Sequence, residues 1–311
     1  MNKNNNKLLV VVGPTAAGKT KLAVKLAYQF DGEIVSADSR QVYRGMDIGT
    51  GKDLADFRLQ ISDCRFKTIR HHCIDVVSPN TDFNLAKYVK LANKAIKDIQ
   101  KRGKLPILTG GTGLYFQAIA DGYNLSNIKP DKVLRTKLEK QTVAQLEKML
   151  KNLDPGFKQD IKNKRYLIRY IEILKNSQKP LLNILQKQGG AYNCLVLGVD
   201  LPREEINKKI DKRLVQRIEN EGMIEEVKNL HFKNKVSWQR LESFGLEYKF
   251  ISQYLWGKLE YKEMVEKLAI AIHQFAKRQV TWLRRWERQG REIYWLNRYS
   301  DAERLVKKWL K

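Results

Sequence analysis

The apolar run Leu8–Val12 passes directly into GPTAAGKT (Gly13–Thr20), and that junction constrains the fold more than any other stretch of the chain. The eight residues fit G-x-x-x-x-G-K-[ST]. Such a loop needs a strand to deliver it and a helix to leave from it. Its glycines let backbone N–H groups turn inward around a phosphate, while the helix points its positive end at the same spot. Lys19 adds a mobile positive charge, and the Thr20 hydroxyl can hold Mg2+. Gly13, Pro14, Thr15, Ala16, Ala17, Gly18, Lys19 and Thr20 therefore form the candidate phosphate-binding set. A second Gly-Lys pair, in MDIGTGKD (Met46–Asp53), fails the pattern: Met46 stands where the first glycine belongs and Asp53 follows the lysine. It reads as a glycine-rich turn.

The remaining chain repeats the same rhythm. EIVSAD (33–38) and LPILTGG (105–111) are apolar runs ending in polar or glycine-rich turns, and Leu85–Ile99 between them has helical amphipathicity. NCLVLGVD (193–200) is a later run of the same kind, expected to return to the sheet. The expected fold class is α/β: a P-loop-type parallel β-sheet core flanked by helices, with a helical insertion domain. The core takes residues 1–122 and 192–311. The insertion takes 123–191, where no strand signal occurs. There Val133, Leu134, Leu138, Leu146, Met149, Leu150 and Leu153 recur at helical spacing, and RYLIRYIEIL continues the pattern. After Pro202 the chain reads as helix nearly to its end. RHHCID (70–75) reads as a turn before a strand.

Charge narrows the function classes. Fifty-nine Lys and Arg face 34 Asp and Glu, a net charge of +25, which suits a polyanionic partner. No apolar run reaches membrane-spanning length, and MNKNNNK is followed by no signal-peptide core, so no membrane partner is expected. Cys64, Cys73 and Cys194 lie far apart with no C-x-x-C pair. They read as reduced thiols of a cytoplasmic protein. The four histidines have no metal-ligand spacing.

Asp38, Ser39, Arg40 and Gln41 follow the second strand and so fall beside the phosphate loop. Short polar side chains there suit the edge of a base, and Asp38 suits a general base. The loop alone leaves a kinase, an NTPase and another diphosphate user equally open, with Asp38 and Asp200 both available to a metal. TGGTG (109–113) lets a ligand approach the backbone and offers Thr109 and Thr112. In AIHQFAKRQVTWLRRWERQ (271–289), Val265, Leu268, Ile272, Ala276 and Leu283 make an apolar stripe. Lys277, Arg278, Arg284, Arg285 and Arg288, interleaved with Trp282 and Trp286, make a cationic face suited to RNA.

Taken in order, GPTAAGKT, SADSRQVYRGMDIGTGK, HHCIDVVSP, GKLPILTGGTGLYFQA, NKRYLIRYIEIL and AKRQVTWLRR resemble the tRNA dimethylallyltransferases, or tRNA isopentenyltransferases, over about residues 8–290. The resemblance implies transfer of a dimethylallyl group from dimethylallyl diphosphate to N6 of the adenine 3′ to the anticodon, with Mg2+ as cofactor. It implies that the phosphate loop and Arg278 hold the diphosphate, and that Asp38, Lys19 and Thr20 are catalytic. It also implies that Asp38, Ser39, Arg40, Gln41, Thr112, Lys164, Arg165 and Arg284 contact the tRNA anticodon stem-loop, which the insertion would help to clamp. A monomer is expected.

The chain departs from the family pattern at Ile272-His273, where Thr-Arg is usual, at Asn163 in place of an acid, and at Tyr170 in place of alanine. ESFGLEYKF (242–250) also differs from the usual G-Y-K/R-E segment. A free-adenylate isopentenyltransferase or a P-loop nucleoside or nucleotide kinase is the alternative, against which the +25 charge and the basic insertion weigh.

Overall fold

The computed structural model describes residues 6–52, 58–62, 65–123, 128, 131–157, 161–177, 180–181, 192–296 and 298–311. Cys64 lies outside them. Two compact units divide the chain: residues 1–120 with 192–311, and residues 121–191.

The first unit is built on a parallel sheet. Its strands are β1 (Lys7–Val12), β2 (Gly32–Ser36), β5 (His71–His72), β6 (Leu105–Thr109), β7 (Asn193–Val199) and β8 (Tyr294–Leu296). They run in the order β5-β2-β6-β1-β7-β8. Strands β3 (Arg58–Ser62) and β4 (Arg65–Thr68) form a separate antiparallel pair. β1 is central, with Val10 opposite Leu108 on one side and Val196 on the other. Its residues Leu8–Val12 are fully buried, as expected of a strand covered on both faces. Parallel pairing carries the loops after β1, β2 and β6 to one edge, which is where ligands of such sheets bind.

Two expectations change here. His71 and His72 are themselves the edge strand β5, paired with Ile34 and Val35. The C-terminal region is not all helix, because Tyr294–Leu296 joins the sheet beside Leu197–Val199. Three residues after a long helix carry too little periodicity to announce a strand; a docking edge on β7 makes it one.

The helix Tyr261–Arg288 organises the packing. Met264, Leu268, Ile272, Ala276, Gln279, Leu283 and Trp286 are buried along one stripe at helical spacing. Val265, expected in that stripe, is only partly buried. The first four belong to the core made with the helices Arg203–Glu219, Met223–Phe232 and Leu246–Leu255. Leu283 and Trp286 belong to the core beneath the sheet, where Trp286 is 1% exposed. Trp286 is thus a packing residue and not part of a cationic binding face.

The second unit packs the helices Lys132–Glu139, Val143–Leu153 and Lys164–Lys175 around Leu146, Leu167 and Ile171. Val133, expected in its apolar stripe, is 67% exposed, and Leu153 is also exposed. Asn163 caps the third helix by accepting from the Arg165 N–H at 3.0 Å. The short amide does what the family's acid would do at an N-cap. Tyr170 packs edge-on against Phe157 at 5.6 Å between ring centroids. Among the described residues no helix is long and apolar enough to cross a membrane.

At the sheet edge, Glu33 is 5% exposed and accepts from Arg102 (Nη2 at 2.8 Å) and from His72 Nε2 at 2.7 Å. The Arg102 guanidinium holds its carboxyl down at about 2, against the opposing effect of burial. A carboxyl depressed below its unfolded value stabilises the fold above about pH 4.5, and that contribution is lost as pH falls toward 2. Glu33→Gln is expected to cost about 3 kcal/mol at pH 7. In urea denaturation, the gap from the parent chain should narrow at pH 3.

Candidate active site

The loop Gly13–Gly18 enters the helix Lys19–Gln29 with Gly18 at φ 88°. Gly13 admits no side chain: a Cβ there would stand 2.4 Å from the Val199 carbonyl oxygen. The loop is fixed from outside by Gln279, which is 8% exposed. Its Oε1 accepts from the Thr15 N–H at 2.8 Å, and its Nε2 donates to the Gly111 carbonyl at 2.8 Å. One side-chain amide therefore sets the distance between the phosphate loop and the TGGTG turn.

That turn is bound in its own right to the residues after β2. The Ala37 N–H donates to Thr109 O, and the Thr112 N–H donates to Ala37 O. Thr112 Oγ1 accepts from the Ser39 N–H at 2.9 Å and donates to Ser39 Oγ at 3.2 Å. Gly113 must be glycine, because a Cβ would lie 2.6 Å from the Trp282 ring. The Asp38 carboxylate is held by one oxygen, which accepts from the Arg40 N–H at 2.9 Å. Its other oxygen lies on the Gly111 side.

These segments enclose a cleft of about 330 Å³. Thr15, Lys19, Thr20, Asp38, Ser39, Arg40, Gln41, Thr112 and Arg278 all line it. Gln41 faces it, yet its amide is engaged inside the protein: Oε1 accepts from Ser36 Oγ, and Nε2 donates to Thr50 O and Gly51 O. It braces the Met46–Lys52 turn. Glu226 braces the same turn by accepting from the N–H groups of Asp47, Ile48 and Gly49.

Other candidates fall elsewhere. Arg284 is not among the cleft-lining side chains; it stacks on Trp295 at 4.4 Å and pairs with Glu287 and Asp200. Asp200 is thereby occupied. Lys164 and Arg165 belong to the second unit, where Lys164 Nζ donates to Glu139 O at 2.7 Å. Of the two departures in the long helix, Ile272 lines the cleft, and His273 points to Asp211, with Nε2 2.7 Å from Oδ1.

Arg213, Arg217 and Glu247 also line the cleft, and no motif marks them. Arg213 Nη2 donates to Thr15 Oγ1 at 2.8 Å, adding a guanidinium to the phosphate loop. Its spacing of four from Arg217 was visible, but the surrounding helix carries charge on every side.

Lys19, Arg213 and Arg278 bring positive charge to the cleft, and Asp38 shares the lining with them. Burial lowers the Lys19 ammonium to about 8, Arg213 pushes it the same way, and Asp38 opposes both. An anion bound to the loop reverses the first two effects. Thr20 offers a hydroxyl for Mg2+, and no cluster of three His, Cys, Asp or Glu occurs among the described residues. One protein oxygen supplemented by ligand phosphates is the donor set that Mg2+ accepts in phosphate loops. The residues fit that ion.

At pH 8 the free Lys19 is about half neutral, so binding inorganic pyrophosphate should take up about half a proton. Calorimetry in buffers of differing ionisation enthalpy measures the uptake, and Lys19→Met should abolish it.

The chain matches the family model described as IPP transferase over residues 41–286, and that described as isopentenyl transferase over residues 6–68. It is 43% identical to tRNA dimethylallyltransferase 1 of Syntrophus aciditrophicus, covering 98% of this chain and 97% of that protein. It is equally 43% identical to tRNA dimethylallyltransferase 2 of Shewanella sediminis, covering 96% and 95%. The crystal structure of a tRNA isopentenylpyrophosphate transferase from Bacillus halodurans superposes with a TM-score of 0.69 at 32% identity, covering 98% and 97% of the two chains. A eukaryotic dimethylallyltransferase, captured acting on tRNA, superposes with a TM-score of 0.74 at 26% identity, covering 89% of this chain and 70% of that one.

Proposed function

The chain belongs to the IPP transferase family, and from that membership we propose that it transfers a dimethylallyl group from dimethylallyl diphosphate to N6 of the adenine 3′-adjacent to the anticodon of tRNA, releasing diphosphate. One observation carries this reading: a single cleft joins a cationic phosphate loop to a carboxylate, Asp38, flanked by groups suited to a base.

Each residue's task follows from the bonds that change. The adenine amine is a poor nucleophile, because its lone pair is delocalised into the ring. An allylic carbon compensates by tolerating positive charge, so catalysis rests mainly on stabilising the departing diphosphate. Lys19, Arg213, Arg278 and the amides of the loop Gly13–Gly18 supply that stabilisation. N6 forms its bond to the terminal allylic carbon as the carbon–oxygen bond breaks, the electron pair leaving on the diphosphate. Asp38 takes the proton that N6 gives up. Mg2+ on the Thr20 hydroxyl adds further charge neutralisation at the phosphates when bound. The adenine must leave its stack to reach the cleft, and we assign Ser39, Arg40 and Thr112 to its contacts, with Gln41 bracing the turn beside them. We assign the helical insertion, with Lys164 and Arg165, to contact with the anticodon stem-loop, together with Arg284 on the core. We further take the protein to act as a cytoplasmic monomer. The cleft residues named above all come from this one chain, and the buried Cys73 is a free thiol, as in a reducing compartment.

Incubation with Mg2+, labelled dimethylallyl diphosphate and either unmodified tRNA or AMP tests the reading. Label should enter tRNA alone; label in AMP would assign the protein to free adenylate, and ATP turnover without label transfer would make it a kinase. Asp38→Ala should lower turnover by about two orders of magnitude or more while leaving tRNA affinity nearly intact. Affinity for tRNA should fall steeply as salt rises, measured as log Kd against log salt concentration, because release of counterions drives binding to a polyanion.

A further inference from the structure

The proposed chemistry leaves unused one buried acid that lines the cleft. Glu247 opens the helix Leu246–Leu255, is 7% exposed, and lines the cleft with Arg40, Arg213 and Arg217. It sits in the segment ESFGLEYKF. Among the described residues its Oε2 has no hydrogen-bond partner. The nearest cation, Arg40 Nη1, is 3.7 Å away, beyond hydrogen-bonding distance. Burial pushes the carboxyl up, although Arg40, a hydrogen bond from its own backbone N–H, Arg217 and Arg213 pull it down. Desolvation therefore outweighs three nearby guanidinium groups.

A carboxylate oxygen buried without a donor is costly, and the fold has donors close by that it does not bring into contact. The position asks for a donor from the ligand. Phosphate is excluded as the contact, since two anions would meet in a site already short of solvent. A neutral N–H or O–H group meets the requirement. We propose that Glu247 is a specificity-determining residue that accepts a hydrogen bond from a neutral donor of the bound RNA, a nucleobase N–H or a ribose 2′-hydroxyl. This rests on the reading that RNA enters the cleft. Arg40 supports the carboxylate from one side, and the helix enters through a strained backbone, with Leu246 at φ 43°.

The test uses the full chain and an anticodon stem-loop RNA, with binding read by fluorescence anisotropy. Glu247→Gln should weaken RNA binding about tenfold, the loss of one charge-assisted hydrogen bond. Pyrophosphate affinity should stay within about twofold and the melting temperature should not fall, as expected where a desolvated charge is removed. Two altered RNAs then identify the donor. One carries 2′-deoxyribose at the reacting nucleotide and its neighbours; the other carries amine-free base analogues at the neighbours. The parent protein and Glu247→Gln should bind one of these equally well, and that one names the donor.

Equal binding of unaltered RNA by both proteins would overturn the inference, as would a tenfold gap that persists on both altered RNAs. A lowered melting temperature, or an equal loss of pyrophosphate binding, would make Glu247 an internal counter-ion of the arginines and overturn it too. Absence of label transfer by the parent protein would instead fail the proposed function, and the binding comparison would still decide the role of Glu247.

Discussion

The side-chain amide of Gln279 is the constraint on which the active edge depends. The helix Tyr261–Arg288 crosses from one apolar core to another, with Ile272 and Ala276 in the first and Leu283 and Trp286 in the second. Gln279 occupies the interval between them. Its two polar atoms are satisfied there by backbone, taking the Thr15 N–H and the Gly111 carbonyl. Segments 264 and 168 residues away in sequence are thereby brought to one spacing. The helix itself cannot shift along its axis without unseating Leu283 and Trp286 on one side and Ile272 and Ala276 on the other. Apolar packing thus sets the position, and one amide transmits it to the phosphate loop.

Within the cleft so formed, charge is arranged as a tension that a ligand relieves. Lys19 and Arg213 approach the same loop and disfavour each other's charge, with burial adding to the effect on Lys19. A diphosphate inserted between them converts repulsion into attraction. The lining repeats the theme with opposite sign at Glu247, which is withdrawn from water without a hydrogen-bonding donor for one oxygen. These groups are already in place before anything binds, which is the condition under which electrostatics act most strongly on a reaction.

The residues expected to depart from the family pattern meet local requirements. Asn163 keeps the N-cap bond of the third insertion helix. Tyr170 adds an aromatic contact with Phe157 in a unit whose core is small. His273 turns outward to Asp211, and Ile272 faces the cleft. The guanidinium groups that line this cleft come instead from Arg213 and Arg217 on a neighbouring helix and from Arg40 and Arg278.

The sequence by itself determined the parallel sheet and most of the cleft. Strand–loop–helix signals are local: an apolar run, two glycines, a lysine and a threonine are contiguous, so Gly13–Thr20 could be read directly. Asp38, Ser39 and Thr112 followed because parallel strands deliver their C-terminal turns to one edge. The same logic failed where partners are distant. His71 and His72 are a strand only because β2 offers them an edge, and Tyr294–Leu296 only because β7 does. Trp286 looked like a stacking platform, since periodicity cannot tell which of two indoles faces the core. Arg213, Gln279 and Glu247 gained their places from helix packing across the whole chain; no spacing in sequence encodes that a side chain on one helix will meet a loop some two hundred residues away. Short-range order is a property of neighbours along the chain. Desolvation and contact belong to neighbours in space, and those the tertiary structure alone decided.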